Sequence, residues 1–152
     1  MNLILDTHAW LWWILEPERL PDSAGEVIRD PGNTVYLSAV SSWEIAIKYG
    51  LGRLYLPEPP RQFIPTRIAR DRLEPLPITH VHAAAVAELP PHHRDPFDRL
   101  LVAQAQTERA TLVTMDNQIR RYDVAVLFAA EPGKITYHAD PDEPTQEEWE
   151  NV

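Results

Sequence analysis

Four acidic residues stand at positions where chemistry is common in α/β proteins. Asp6 directly follows the first apolar run of the chain, and Asp116 follows a later one. Glu44 and Asp98 each fall in the first turn of a predicted helix. Because sites in parallel sheets form outside the carboxyl ends of the strands, we expect these four carboxylates to face one cleft.

Clustered carboxylates repel one another and raise each other's pKa values, so such a cluster makes physical sense only with cations bound. The chain has no cysteine, which excludes disulfides, thiolate zinc sites and a cysteine nucleophile. Hard oxygen ligands favour Mg²⁺ or Mn²⁺. For the histidine pairs we expect surface or loop roles rather than zinc binding: His80 with His82, and His92 with His93.

Each acid also has a purely structural interpretation. An acid at a helix N-terminus caps free amides and suits the helix dipole, and Glu44 has the spacing to pair with Lys48. Asp98 fits this interpretation least well, because helical spacing places it on a stripe with Leu101, Val102 and Ala105. For Glu44 we predict a position bordering a buried stripe of Trp43, Ala46, Ile47 and Gly50.

The elements that position these acids alternate along the chain. The predicted strands are residues 2–5, 34–38, 76–78, 111–114 and 124–128. Seven helices are predicted. The first is an aromatic-rich helix after Asp6, the second runs from Pro21 to Arg29, and the third has a capping box at Ser41 and Glu44 and stops at Gly50. A short helix follows Pro60, and the last three cover residues 79–88, 97–109 and 117–122. Strands that alternate with helices predict a three-layer α/β/α sandwich with a central parallel sheet.

Two of the tryptophans on the first predicted helix are assigned to the core by their spacing. Trp10 and Trp13 lie on one face with Ile14. Trp12 lies on another face, and we predict that it is an exposed contact residue.

The length of 152 residues suits one domain. We expect a folded unit over residues 1–130 and an acidic, weakly ordered extension over 131–152, which holds seven acids against one lysine. The net charge is −9, but residues 61–121 carry nine arginines against seven acids, so charge does not exclude a nucleic-acid partner. No apolar run approaches the ~20 residues of a membrane span and no signal peptide is evident, so we expect a cytoplasmic protein.

Four motifs in order carry a resemblance to a known family. They are LILDTHAWLWW with Asp6, SAVSSWEIAIKYGLGRL with Glu44, LPPHHRDPFDRLLVAQA with Asp98, and LVTMD with Asp116. Over about residues 1–128 the chain resembles the PIN-domain ribonucleases and, within them, the VapC toxins of bacterial toxin–antitoxin pairs. One short motif would be weak support, whereas four with matching order and spacing are specific.

The resemblance implies a site and an activity. Asp6, Glu44, Asp98 and Asp116 would surround one or two Mg²⁺ or Mn²⁺ ions and cleave single-stranded RNA. The hydroxyls of Thr7 and Thr114 would orient these carboxylates. Asp95 joins this outer set or simply caps its helix with Pro96. The nearest cations for RNA phosphates are Lys48, Arg99, Arg120 and Arg121.

The resemblance also implies partners. A VapB-like antitoxin would dock an apolar helix near Trp12 and the region that contains Leu51, Leu54 and Phe63. It would also extend an arginine or lysine to the acids. The family further suggests a homodimer.

Other functions remain compatible with the acids alone. A haloacid-dehalogenase-like phosphatase uses a paired Asp-x-Asp at the first strand, but position 8 is His8. A DNA-directed flap nuclease is a second alternative. A non-catalytic partner-binding PIN module is a third, and the intact four acids count against it.

Overall fold

The computed structural model of the protein describes residues 1–128, so the predicted extension over 131–152 lies outside the described part. The strands are β1 (Asn2–Leu5), β2 (Thr34–Ser38), β3 (Glu74–Leu76), β4 (Thr111–Val113) and β5 (Val126–Leu127). The α-helices are α1 (Thr7–Leu15), α2 (Asp22–Arg29), α3 (Ala39–Gly50), α4 (Pro60–Arg70), α5 (His80–Ala85) and α6 (Pro96–Glu108). Single 3₁₀ turns cover Pro17–Arg19, Val86–Glu88 and Ile119–Arg121.

All five strands pair in parallel, in the order β3-β2-β1-β4-β5. The chain moves outward from β1 through β2 to β3 and then returns to β4 on the other side of β1. The strand order therefore reverses between β1 and β4, which is where α/β proteins open a crevice at the carboxyl edge of the sheet. Asp6 and Asp116 follow these two strands.

Both faces of the sheet are covered, as predicted for a three-layer sandwich. Leu3 and Leu5 of β1 point to one side, where they join a core with Trp10 of α1 and Phe63 of α4. Ile4 points to the other side and joins a core built mainly on α6. Alternation along a strand sends successive side chains to opposite faces, so an unbroken apolar strand is what a doubly covered sheet requires.

The start of α3 differs from the prediction. The helix begins directly after β2, and its N-cap is Ser38, whose hydroxyl accepts the amide of Val40 at 3.0 Å. The predicted capping box of Ser41 and Glu44 is wrong, because both residues already lie inside the helix.

The orientation of α3 corrects a second expectation. Its buried residues are Val40, Ser41, Glu44, Ile45 and Lys48. Trp43, which the predicted stripe had placed toward the core, is 55% exposed. The carboxylate is thus inside and the indole outside.

The expectation that Trp12 is exposed is also wrong. Its side chain is 7% exposed and packs with Leu20, Ala24 and Met115. The Arg19 guanidinium lies 4.6 Å from the centre of the Trp12 ring, a cation–π contact that shields its outer face. Trp10 is fully buried, as predicted.

Several element boundaries move by a few residues. The strand predicted at 76–78 lies at Glu74–Leu76, where Pro75 is tolerated because β3 is an edge strand. Helix α4 is longer than predicted, the helix predicted at 117–122 is a 3₁₀ turn, and the last strand shortens to two residues. Among residues 1–128, none of the helices has the length and apolar character to cross a bilayer.

A buried polar network ties α6 to the sheet and to α5. Gln104 is fully buried; its amide nitrogen donates to the carbonyl of Pro77 at 3.2 Å, and its amide oxygen accepts the Ser38 hydroxyl. His82 is also buried, and its Nδ1 accepts the amide of Thr79 while Nε2 lies 2.7 Å from a carboxylate oxygen of Glu108. The surface or loop role expected for His82 is therefore wrong: it caps α5, and its ring is buried.

We expect Gln104→Ala to lower the free energy of unfolding by about 2–4 kcal/mol, because it creates a cavity and leaves buried polar groups without a hydrogen-bonding partner. Urea denaturation measures this loss. The matched control is Gln106→Ala on the exposed face of the same helix, which removes one exposed hydrogen bond, to the Asp123 carbonyl, and should cost no more than about 1 kcal/mol. Equal stability of the two variants would contradict the structural role of the network.

Candidate metal centre

The fold brings the four predicted acids to the carboxyl edge of the sheet. Asp6 is the N-cap of α1 directly after β1, and Asp116 lies three residues after β4. Glu44 is on the buried face of α3, the helix that follows β2, and Asp98 is in the first turn of α6. Four separate segments of the chain thus contribute one carboxylate each.

Of the two acids that follow β1 and β4, Asp6 is the more deeply buried. Its side chain is 3% exposed, and Oδ1 accepts the amide of Ala9 at 2.6 Å. Burial raises the pKa of Asp6 to about 6, with a further increase from the Asp116 charge; His8 and the hydrogen bond from Thr114 act in the opposite direction. The charged carboxylate is therefore unfavourable in the metal-free site, and a bound cation would stabilise it.

Asp98 and Asp95 form the second half of the cluster. Burial raises the pKa of Asp98 well above its ordinary value, and the charges of Asp95 and Glu44 raise it further. The pKa of Asp95 is likewise raised, by burial and then by Glu44, although its oxygen accepts the amides of Phe97 and Asp98 at 2.8 and 3.2 Å. Asp95 therefore caps α6, which is one of its two predicted roles, and its charge raises the pKa of Asp98.

Glu44 is 1% exposed, and only one of its two carboxylate oxygens has a hydrogen-bonding partner. One oxygen, Oε2, pairs with Lys48 Nζ at 2.9 Å. The other, Oε1, is buried and meets no hydrogen-bond donor among residues 1–128. An unpaired buried carboxylate oxygen is costly, and a bound cation is one partner that would remove this cost.

His93 is the site residue that the sequence analysis missed. Its Nε2 lies 2.8 Å from Oδ2 of Asp116 and 3.2 Å from Oδ2 of Asp98. Burial lowers the pKa of His93, but the hydrogen bonds and charges of these two acids outweigh it and raise the pKa to about 10. The contact spans 23 residues of sequence, and the one available signal was that His93 lies two residues before the cap of α6.

The two threonines predicted to orient carboxylates differ in what they contact. Thr114 hydrogen-bonds Asp6 with its side chain, and its Oγ1 accepts the amide of Asp116 at 3.0 Å. Thr114 thus links the acids of β1 and β4. Thr7 donates to the Ser41 hydroxyl at 2.9 Å, so it links α1 to α3.

The predicted RNA-binding cations divide into two groups. Lys48 is buried beside Glu44, and Arg99 donates to the carbonyls of Pro90, Val86 and Leu89. These two side chains are thus engaged in internal contacts. Arg120 and Arg121 are exposed.

The arrangement fits a hard divalent cation. The groups of His93, Asp98 and Asp116 that could be ligands lie within 4.8 Å of one another. Around them are Asp6, whose pKa is raised, and Glu44, which has an unpaired buried oxygen. A cation would remove the mutual repulsion of these acids and supply the missing partner of Glu44.

The PIN domain family model matches residues 3–125 of the chain. The chain belongs to the PIN domain family. The resemblance that the four motifs indicated is therefore confirmed.

Two curated relatives from Mycobacterium tuberculosis (strain ATCC 25618 / H37Rv) carry VapC names. Ribonuclease VapC22 is 30% identical over 122 residues, which cover 80% of this chain and 92% of that protein. Ribonuclease VapC16 is 41% identical over 71 residues, which cover 45% of this chain and half of that protein's length.

Solved structures with the same fold include VapBC2 from Rickettsia felis bound to a promoter DNA fragment, with a TM-score of 0.64 and 22% identity. The match covers 84% of this chain and 98% of that one. DNA-bound VapBC from Salmonella typhimurium matches with a TM-score of 0.60 and 19% identity, over 84% and 97% of the two chains. The predicted α/β fold of the PIN type is thus confirmed.

We expect Asp6→Asn to stabilise the metal-free protein at pH 7.5. A folded-state pKa near 6 against an ordinary value of 3.8 means that the charged form destabilises the native state above pH 6. This penalty fades as the pH falls toward 4, because the native state then takes up the proton. The isosteric amide keeps the acceptor for Ala9 and removes the charge, so the gain is at most about 3 kcal/mol.

Urea denaturation in chelator at pH 7.5 and pH 5 measures this effect, which should be smaller at pH 5. Added Mg²⁺ or Mn²⁺ should stabilise the unmodified protein more than the variant. The exposed Asp22→Asn serves as the control. A variant that is less stable than the unmodified protein in chelator at pH 7.5 would contradict the strained-carboxylate interpretation.

Proposed function

We propose that the protein is an Mg²⁺- or Mn²⁺-dependent endoribonuclease that cleaves single-stranded regions of RNA and acts as the toxin of a toxin–antitoxin pair. The observation that carries the proposal is the buried carboxylate cluster with an unpaired oxygen on Glu44. The names of the VapC relatives support the choice of RNA as substrate. We assign the nuclease domain to residues 1–130, and the family match over residues 3–125 supports this assignment.

Asp6, Glu44, Asp98 and Asp116 would hold the ion or ions. A bound divalent ion supplies an activated water and neutralises the charge that develops on a phosphodiester. The chain's own contribution is to fix the carboxylates: Thr114 hydrogen-bonds Asp6, and amides at the start of α6 fix Asp95. Lys48 neutralises one oxygen of Glu44 and leaves the other for the ion.

The surface beside the acids suits an unpaired strand. The half-exposed indole of Trp43 packs edge-on against Phe97, with ring centres 5.0 Å apart. Trp43 and Phe97 are the sequence neighbours of Glu44 and Asp98, and we propose that the exposed indole contacts a base of the bound RNA. Aromatic side chains stack on bases of any sequence, and the exposed Arg120 and Arg121 are the cations we assign to phosphates.

Asp98→Asn is expected to reduce metal-dependent RNA cleavage by at least about a hundredfold while the protein stays folded, because the amide removes a ligand charge and little else. The assay follows a labelled single-stranded RNA with Mg²⁺, with Mn²⁺ and with chelator. Asp22→Asn, an exposed acid on α2, is the matched control.

Two further substrates separate this activity from its alternatives. Single-stranded DNA of the same sequence tests a DNA nuclease, and a small phosphate monoester tests a phosphatase. Undiminished RNA cleavage by folded Asp98→Asn protein would refute the assignment of Asp98. Hydrolysis of the monoester alone would refute the nuclease.

The structures of the same fold include toxin–antitoxin complexes, which supports a VapB-like antitoxin as partner. The homodimer stays a prediction from the family resemblance. The docking surface inferred from sequence needs revision, because Trp12 and Phe63 are buried and Leu54 is partly buried against the core. Leu51 remains exposed at 48%, and Tyr55 is 85% exposed. We assign the antitoxin's apolar segment to these two residues and its arginine or lysine to the acids.

Tyr55→Ala is expected to weaken the antitoxin complex by about 2 kcal/mol, or roughly 30-fold, without changing cleavage by the free toxin. The measurement is titration with the protein encoded by the neighbouring gene. Val81→Ala, a 63% exposed apolar residue on α5, is the control.

In the same titration Mn²⁺ should compete with the antitoxin, because a cationic side chain would neutralise the charge that the ion neutralises. Full-strength binding by Tyr55→Ala would refute the surface. Inhibition that is insensitive to metal would refute the contact with the acids.

A further inference from the structure

His93 lies between two acids that come from different elements. Its Nε2 contacts Asp116 Oδ2 at 2.8 Å and Asp98 Oδ2 at 3.2 Å, and its side chain is 13% exposed. These distances suit two roles. The nitrogen could donate a hydrogen bond to both carboxylates, or it could bind an ion beside two oxygen ligands.

The other ring nitrogen distinguishes the two roles. The backbone N–H of Asp95 donates to Nδ1 of His93 at 3.0 Å, so Nδ1 must present a lone pair. The ring proton of this tautomer is on Nε2, the atom that faces the carboxylates. Nε2 carries a proton in the imidazolium as well, so its role as donor does not depend on the raised pKa of His93. A histidine that binds metal through Nε2 ordinarily donates its Nδ1 proton to an acceptor, and here Nδ1 faces a donor.

The position of the ring is set by the backbone as well as by the acids. The His93 amide donates to the hydroxyl of Tyr122 at 2.8 Å. The Arg99 guanidinium donates to the same hydroxyl at 3.1 Å and to the Pro90 carbonyl at 2.9 Å. The loop before α6 is thus fixed on both sides of His93, which keeps Nδ1 against Asp95.

We propose that His93 is a positioning residue of the metal site: its Nε2–H donates to Asp98 and Asp116 and holds these carboxylates at the spacing that an ion requires, without binding the ion itself. This inference rests on the proposed function, because it takes Asp98 and Asp116 as metal ligands. It also gives Arg99 a role, since its contacts hold the loop that carries His93.

Two substitutions separate the roles. In His93→Gln the amide N–H reaches the position of Nε2–H, whereas the shorter side chain of His93→Asn reaches only the position of Nδ1. We expect His93→Asn to weaken Mg²⁺ and Mn²⁺ binding by the same factor, about 10- to 100-fold, and His93→Gln to stay within about threefold of the unmodified protein. Calorimetry without RNA measures both affinities.

The control is His92→Asn, which alters the neighbouring ring, packed edge-on against Tyr122 at 5.1 Å. It should leave both metal affinities unchanged. Circular dichroism and thermal melting in chelator establish that each variant is folded.

Nitrogen-15 NMR of the Mg²⁺-loaded protein reads the ring directly, and we expect the proton on Nε2 and none on Nδ1. An unprotonated Nε2 in the loaded protein would overturn the inference. So would a loss in His93→Gln that equals the loss in His93→Asn and is larger for Mn²⁺ than for Mg²⁺, because that pattern identifies a nitrogen ligand.

The two proposals fail in different ways. If the unmodified protein binds neither ion, the proposed function fails and the positioning role fails with it. If the protein binds ions and cleaves RNA while folded His93→Asn binds them equally well, only the positioning role is overturned.

Discussion

The burial of like charges at one edge of the sheet is the constraint on which the rest of this structure depends. Carboxylates from four segments of the chain converge where β1 and β4 end, and burial raises the pKa values of Asp6 and Asp98. Helix N-termini offset part of the cost, because Asp6 caps α1 and Asp95 caps α6. Lys48 offsets another part by pairing with Glu44. A bound cation would offset the charge repulsion that remains.

The two cores keep this arrangement from relaxing. Acids that repel one another separate if their supporting elements can move, but β1 is buried on both faces between α1 and α6. The network around Gln104 joins the end of β2 to α6, so the elements that carry Glu44 and Asp98 are coupled through buried hydrogen bonds. Because the cores on both sides of the sheet are rigid, the acids stay close together despite their mutual repulsion.

The sequence predicted most of the strands because buried parallel strands are continuous apolar runs, as in β1 and β2. It did not identify which face of a helix is buried when apolar residues surround the helix, so the environments of Trp12 and Trp43 were both misassigned. The start of α3 was misplaced because Ser38 and Ser41 are both suitable caps, and only the junction with β2 selects Ser38. His93 was missed because its partners lie on α6 and beyond β4, and no local pattern encodes that contact.

The acids of the site contact Lys48 and His93 across very different distances along the sequence. Lys48 pairs with Glu44 across one helical turn, so its contact follows from local spacing. His93 reaches Asp116 only after the sheet has formed, so its contact exists in the folded state alone. A divalent ion needs still more, because it requires all the carboxylates in place at once. In the metal site that we propose, affinity would therefore be sensitive to small displacements of α6 against β4. His93 contacts Asp98 on α6 and Asp116 after β4, so its loss would allow such a displacement.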